Sequence, residues 1–172
     1  LSSSSAASDV YKRQLQPCLN GLDVGVISDA GCPGIADPGA NVVAQAHRLG
    51  VKVVPLVGPS SILLAMMASG FNGQNFAFNG YLPIDKKERR LEIKRLERLS
   101  ADINQSQLFI ETPYRNNQLL ESLISVLQPQ TNLCVACDIT LPTEYIRTQT
   151  AGDWKHSKVD LNKRPTLFII QK

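Results

Sequence analysis

The sequence predicts an α/β fold on three observations. Short runs rich in Val, Ile and Phe alternate with stretches whose apolar residues return at helical spacing. Gly- and Pro-bearing loops stand where the first kind of run gives way to the second. The chain has 172 residues, 43% of them hydrophobic, enough to bury the core of one medium domain or two small ones.

The opening LSSSSAASDVYKRQ has neither apolar period, and residues 1–14 are expected to be a tail or a segment foreign to the natural protein. Val24 to Ser28 reads as a buried strand, Ala40 to Leu49 as a helix stopped by Gly50, and Val51 to Pro55 as a second strand. Such a βαβ unit makes its two strands parallel with a right-handed crossover. Gly58-Pro59-Ser60-Ser61 then opens an apolar helix over Ile62 to Ser69, with Ser60 or Ser61 as its N-cap. The Gly- and Asn-rich run from Gly70 to Asn75 reads as an interdomain linker, which puts one domain over residues 15–72 and a second over 73–172. In the second, Phe76 to Asn79 is a short strand. Lys86 to Leu99 is a charged amphipathic helix with Leu91, Ile93, Leu96 and Leu99 as its apolar members. Gln107 to Glu111 is a strand, Asn116 to Leu127 a helix with one apolar face, and Asn132 to Cys137, Glu144 to Thr150 and Thr166 to Gln171 are strands.

Composition narrows the function classes. A formal charge of +3 and a pI near 8.7 permit a polyanionic partner without requiring one. No apolar stretch approaches the roughly 20 residues of a membrane span, and the first residues lack a secretory layout, so a cytoplasmic protein without a membrane partner is expected. Four cysteines, at 18, 32, 134 and 137, are too few and too unevenly placed for a disulfide framework. Cys134-Val-Ala-Cys137 lies in an apolar run with no second half-site, so both thiols read as small buried hydrophobes and no metal site is expected. His47 and His156 have no nucleophile and acid to complete a triad.

The chemistry is expected in the loops. Ser28 to Gly39, SDAGCPGIADPG, is longer than the 2 to 6 residues of an ordinary strand-to-helix turn. It stands at a carboxyl strand end, where open α/β sheets bind ligands. Its glycines permit close backbone approach, and Asp29 and Asp37 either accept hydrogen bonds from a ligand or cap the following helix. The Gly58 to Ser61 turn follows the next strand at the same sheet edge. No phosphate loop, dinucleotide fingerprint or nucleophile elbow is present, so a small zwitterionic or nucleoside ligand is favoured over a triphosphate.

The ordered blocks VGVISDAGCPGIADPGAN, VVPLVGPSS, FNGYLP, LFIETPYR, the strand into Asp138-Ile139-Thr140, and RPTLFIIQK resemble the tetrapyrrole (corrin/porphyrin) methylase superfamily, nearest its small-subunit ribosomal RNA branch. The resemblance covers about residues 15–172. It implies a two-domain α/β enzyme, usually a homodimer, that binds S-adenosylmethionine between its domains and transfers the methyl group. Carried over residue by residue, it puts Asp29, Ala30, Gly31 and Ile35 on the first cofactor loop and Ser60 and Ser61 on the second. Glu111, Arg115, Ala136, Pro165 and Thr166 line the same cleft from the second domain. If the acceptor is a ribose hydroxyl, Glu111 and then Asp138 are the candidate bases, and the alternative for Glu111 is a salt bridge to Arg115. The basic helix Lys86 to Arg98 either faces RNA phosphates or is a solvated face with Glu88, Glu92 and Glu97 pairing internally.

The chain departs from the family pattern at both ends. The strand and loop that open other members before the equivalent of Val24, and the segment after the last strand in the ribosomal branch, have no counterpart here. The first domain is therefore expected to be incomplete, with an exposed sheet edge that predicts marginal stability or association. Three readings follow: a methyltransferase acting on RNA, one acting on a tetrapyrrole, or a noncatalytic remnant of the fold.

Overall fold

The computed structural model describes residues 13–28 and 31–172. The chain divides into two compact units, one ending at Ser60 and one running from Ser61 to Lys172.

The described part of the first unit carries helices α1 (Gln16–Leu19) and α2 (Ala40–Arg48). Gly50, at φ 67°, stops α2 as expected, with its N–H on His47 O at 3.2 Å. Two expectations fail here. Val24 to Ser28 and Val51 to Pro55 are not strands, and Ile27 is 91% exposed. Their β-branched residues suit an extended chain, but a strand exists only where a neighbour supplies ladder partners. The N-cap of α2 is Gly39 with no side-chain cap, so Asp37 does not cap it.

The second unit is built on a mixed five-stranded sheet of order β1-β2-β5-β3-β4. Its strands are β1 (Phe76–Tyr81), β2 (Ser106–Ile110), β3 (Asn132–Cys137), β4 (Tyr145–Thr150) and β5 (Thr166–Gln171). β1 and β2 pair in parallel, and the other ladders are antiparallel. The central strands are apolar at successive positions because both faces are covered, and strand alternation sends neighbours to opposite sides. Leu133, Val135, Cys137, Phe168 and Ile170 pack under helices α4 (Lys86–Ile103) and α5 (Asn116–Val126). Cys134, Ala136, Leu167 and Ile169 pack under α3 (Ser61–Ser69). Cys134 and Cys137, an odd number of residues apart in one strand, therefore lie on opposite faces, which suits their reading as buried hydrophobes. Burial pushes both thiols up from their ordinary pKa.

The segment expected as a linker is fastened to the sheet. Asn72 N–H donates to Gln171 Oε1 at 2.8 Å, and Ser106 Oγ donates to Asn72 O at 3.0 Å. The contacts divide the chain one helix earlier, because Ala65 and Met66 of α3 belong to the second unit's core.

In α4, Asp85 caps the first turn through Lys87 and Glu88 N–H groups. Ile93 and Leu96 are fully buried, while Leu91, two residues and about 200° round the helix from Ile93, is 68% exposed rather than a core member. Glu92 pairs with Arg95 at 2.7 Å, as expected of an internally paired face. Glu97 instead turns inward and accepts from Gln128 N–H at 2.8 Å and from the Thr131 hydroxyl. The four-residue helix α6 (Ala151–Trp154), too short for periodicity to reveal, is capped by Thr150. It seats the buried Trp154, whose Nε1 donates to Leu133 O at 2.9 Å.

Candidate functional site

In the first unit the Gly- and Pro-rich loop closes on itself. Gly34 N–H donates to Pro38 O and Ile35 N–H to Cys32 O, both at 3.2 Å. Gly39 has φ 141°, a conformation that strains any side chain, and a Cβ there would stand 3.1 Å from Gly34 N, so that backbone would have to give by a few tenths of an ångström. The loop is also fastened to the second turn: Cys32 Sγ donates to Pro59 O at 3.5 Å. A Cβ on Gly31, at φ 137°, would stand 3.9 Å from that same oxygen. Gly31 thus lies against the turn that carries Ser60. Ile35 stands 56% exposed on the loop. Asp29 and Ala30 lie outside the described residues.

In the second unit the expected residues gather at one end of the sheet. Ile110, Leu167 and Ala136 form a row across β2, β5 and β3. Glu111 and Asp138 follow β2 and β3, so they flank the start of β5, where Pro165 and Thr166 stand. With strands about 4.8 Å apart, the two strand ends are separated by about 10 Å. Thr166 pairs with Cys137, and its hydroxyl donates to Arg164 O at 3.0 Å. Helix α3 is held at its C-terminal end by Thr148 Oγ1 donating to Ser69 O at 2.8 Å.

The two candidate carboxylates differ in environment. Glu111 is buried, and its Oε1 accepts from Thr112 N–H at 2.6 Å and Arg115 Nη2 at 2.7 Å. The ion pair weighed for Glu111 is therefore formed. Asp138 is clamped: Oδ2 accepts from Arg164 Nε and Thr143 Oγ1, each at 2.8 Å, and its own N–H donates to Pro165 O at 2.9 Å. The Arg164 guanidinium, followed by the Thr143 hydroxyl, holds its carboxyl below the usual carboxylate range. A carboxylate so held stays anionic and is a weak proton acceptor.

Sequence reasoning missed Arg164, although it opens the RPT block. Its Nη1 and Nη2 also donate to Asp160 O at 2.9 Å and Thr143 O at 2.7 Å, so one guanidinium ties the loop before β5 to the β3–β4 loop. It also missed the left-handed backbones of Asp138, Thr140 and Lys163, at φ 49°, 72° and 60°. Each costs a non-glycine residue roughly 1–2 kcal/mol, and such strain clusters at functional sites. Lys163 N–H donates to Pro113 O at 3.0 Å in the 3₁₀ turn Pro113–Arg115, and its ammonium stands 5.9 Å over the Tyr114 ring. An exposed contact of that kind returns about 0.5–1 kcal/mol, which does not cover the strain. Two buried polar atoms here have no partner among the described residues, the donor Arg115 Nε and the acceptor Asn116 Oδ1.

A family model described as Tetrapyrrole (Corrin/Porphyrin) Methylases matches residues 3–154. The chain belongs to the tetrapyrrole methylase family. A relative named Ribosomal RNA small subunit methyltransferase I from Vibrio cholerae is 36% identical over 129 residues, covering 75% of this chain and 43% of that protein. One of the same name from Haemophilus influenzae is 33% identical over 154 residues, 88% of this chain and 53% of its own. The chain thus spans about half the length of the curated relatives it matches. Among solved structures, the methyltransferase CobJ superposes with a TM-score of 0.63 at 19% identity, over 96% of this chain and 71% of that one. A conserved hypothetical protein from Aeropyrum pernix K1 gives a TM-score of 0.61 at 16% identity, over 95% of this chain and 63% of that one. At those identities the likeness is one of fold, and it is the fold of a tetrapyrrole methylase.

Proposed function

We propose that the chain is an S-adenosylmethionine-dependent methyltransferase of small-subunit ribosomal RNA, with a ribose 2′-hydroxyl as acceptor. The observation that carries the reading is the loop pair of the first unit, where Cys32 on Pro59 fastens a glycine-walled loop to the Ser60 turn. A backbone-lined surface of this kind suits a zwitterionic nucleoside, which needs close approach and hydrogen bonds rather than a phosphate cradle. The orphaned Arg115 Nε and Asn116 Oδ1 fit as well, being a donor and an acceptor that a polar ligand would satisfy. The proposed cofactor residues are Asp29, Ala30, Gly31, Ile35, Ser60, Ser61, Glu111, Arg115, Ala136, Pro165 and Thr166. The choice of RNA rests on the relatives' name.

When bound, S-adenosylmethionine supplies an already electrophilic methyl group. The protein's part is then orientation and one proton. Proximity of an aligned acceptor supplies much of the acceleration. Glu111 is the proposed base: only its Oε1 accepts hydrogen bonds from the described residues, leaving the other oxygen to take the acceptor's proton. Asp138, clamped by Arg164, is reassigned in this proposal from second base to positioning residue. A homodimer in the cytoplasm, where ribosomal RNA is found, completes the reading.

The test is methyl transfer from tritiated S-adenosylmethionine to small ribosomal subunits, followed by digestion to nucleosides. Label in a 2′-O-methyl nucleoside supports the proposal. Label in a tetrapyrrole alone moves the substrate to the second reading, and label in neither sinks the activity.

A further inference from the structure

Tyr114 and Lys163 form a feature that methyl transfer does not explain. Tyr114 is 74% exposed, although it stands on a turn whose neighbours on both sides are fastened: Glu111 grips Thr112 and Arg115, and Pro113 O holds Lys163 N–H. Lys163 is held over the ring by a left-handed backbone, a conformation that the exposed contact does not repay. Charge sets Lys163 apart as well. Arg115 and Arg164, cations at the same sheet end, are neutralised by Glu111 and Asp138. Lys163 has no acidic partner among the described residues. A solvent-facing aromatic ring on a fastened turn, beside an unneutralised ammonium, is the minimal device for one nucleotide, a face for the base and a cation for its phosphate.

We propose that Tyr114 and Lys163 form a single-stranded RNA subsite, in which a base flanking the methylated nucleotide stacks on the Tyr114 ring and Lys163 takes the adjoining phosphate. The inference rests on the RNA reading of the preceding section. A carboxylated porphyrin is the rival occupant, since it too is flat and anionic. RNA is favoured because the ring is single and open, the size of one base, and because the relatives at 33–36% identity carry the ribosomal name.

The test measures binding of a short fluorescein-labelled single-stranded RNA to the full chain by anisotropy, across a salt series. Tyr114→Ala should weaken binding about ten-fold, and Tyr114→Phe should leave it unchanged because the ring face is kept. Lys163→Met should weaken binding and lower the salt slope by about one phosphate contact. S-adenosylmethionine binding and thermal stability should not move in Tyr114→Ala, which separates a substrate role from a structural one. Wild-type binding with no loss in Tyr114→Ala overturns this inference and leaves the RNA reading standing. Absence of wild-type RNA binding overturns both. Loss of a carboxylated porphyrin but not of RNA in Tyr114→Ala assigns the subsite to the rival and overturns the RNA subsite.

Discussion

Replacing Arg164 by Met keeps the length and apolar stem of the side chain and removes its guanidinium. Three hydrogen bonds of 2.7–2.9 Å go with it, to Asp138 Oδ2, Asp160 O and Thr143 O. Bonds to charged groups contribute about 1.5–3 kcal/mol each, but these share one donor group that is 28% exposed, so water recovers part of the loss. The expected net cost is about 2–3 kcal/mol, or roughly 10 °C in the melting temperature of a unit of this size. The pH dependence carries the sharper signature. Asp138 has a lowered pKa in the folded protein, so its pair contributes fully above the usual carboxylate range and is lost as pH falls through that lowered value. In Arg164→Met the same carboxylate is left with the Thr143 hydroxyl and the Cys137 thiol but no cation, and protonation relieves it. The deficit should therefore be largest near about pH 7 and shrink toward about pH 3. Urea denaturation of both proteins across that range measures it. A deficit that stays constant with pH, or grows on acidification, refutes the assignment of Asp138 as the clamped anion.

Gly39→Ala should cost about 1–3 kcal/mol and weaken S-adenosylmethionine binding, because φ 141° strains any side chain and the Gly34 backbone, 3.1 Å from the new Cβ, would have to shift; melting and titration would show both. Leu96→Ala, at a fully buried position between α4 and the sheet, should cost about 3 kcal/mol in urea denaturation without changing the first unit's loop pair. A thiol reagent should label the half-buried Cys18 and Cys32 readily and reach Cys134 and Cys137 only on unfolding, since burial both covers their thiols and disfavours the thiolate.

The second unit was largely legible in the sequence because its signals are local. Leu133 to Cys137 and Leu167 to Ile170 are apolar at every position, as strands buried on both faces must be, and Leu119, Leu120 and Leu123 mark one helix face. Val24 to Ser28 shows the limit: its residues choose an extended backbone, but whether a ladder forms depends on a neighbour elsewhere in the chain. Leu91 shows another, since a leucine in an amphipathic helix is inward only at the right angle, and residues 89, 93 and 96 had already taken that stripe. Glu111 and Arg115 were found through a motif and an i, i+4 spacing. The Asp138 to Arg164 clamp was not, because 26 residues separate its partners and only the β3–β5 ladder brings them together. The strained backbone of Lys163 has no sequence mark at all.

Titration calorimetry of S-adenosylmethionine into the chain decides whether this fold holds the cofactor. Saturable micromolar binding, competed by S-adenosylhomocysteine and weakened by Gly39→Ala, is the expected result. No heat from the folded protein, or binding indifferent to that substitution, would contradict it.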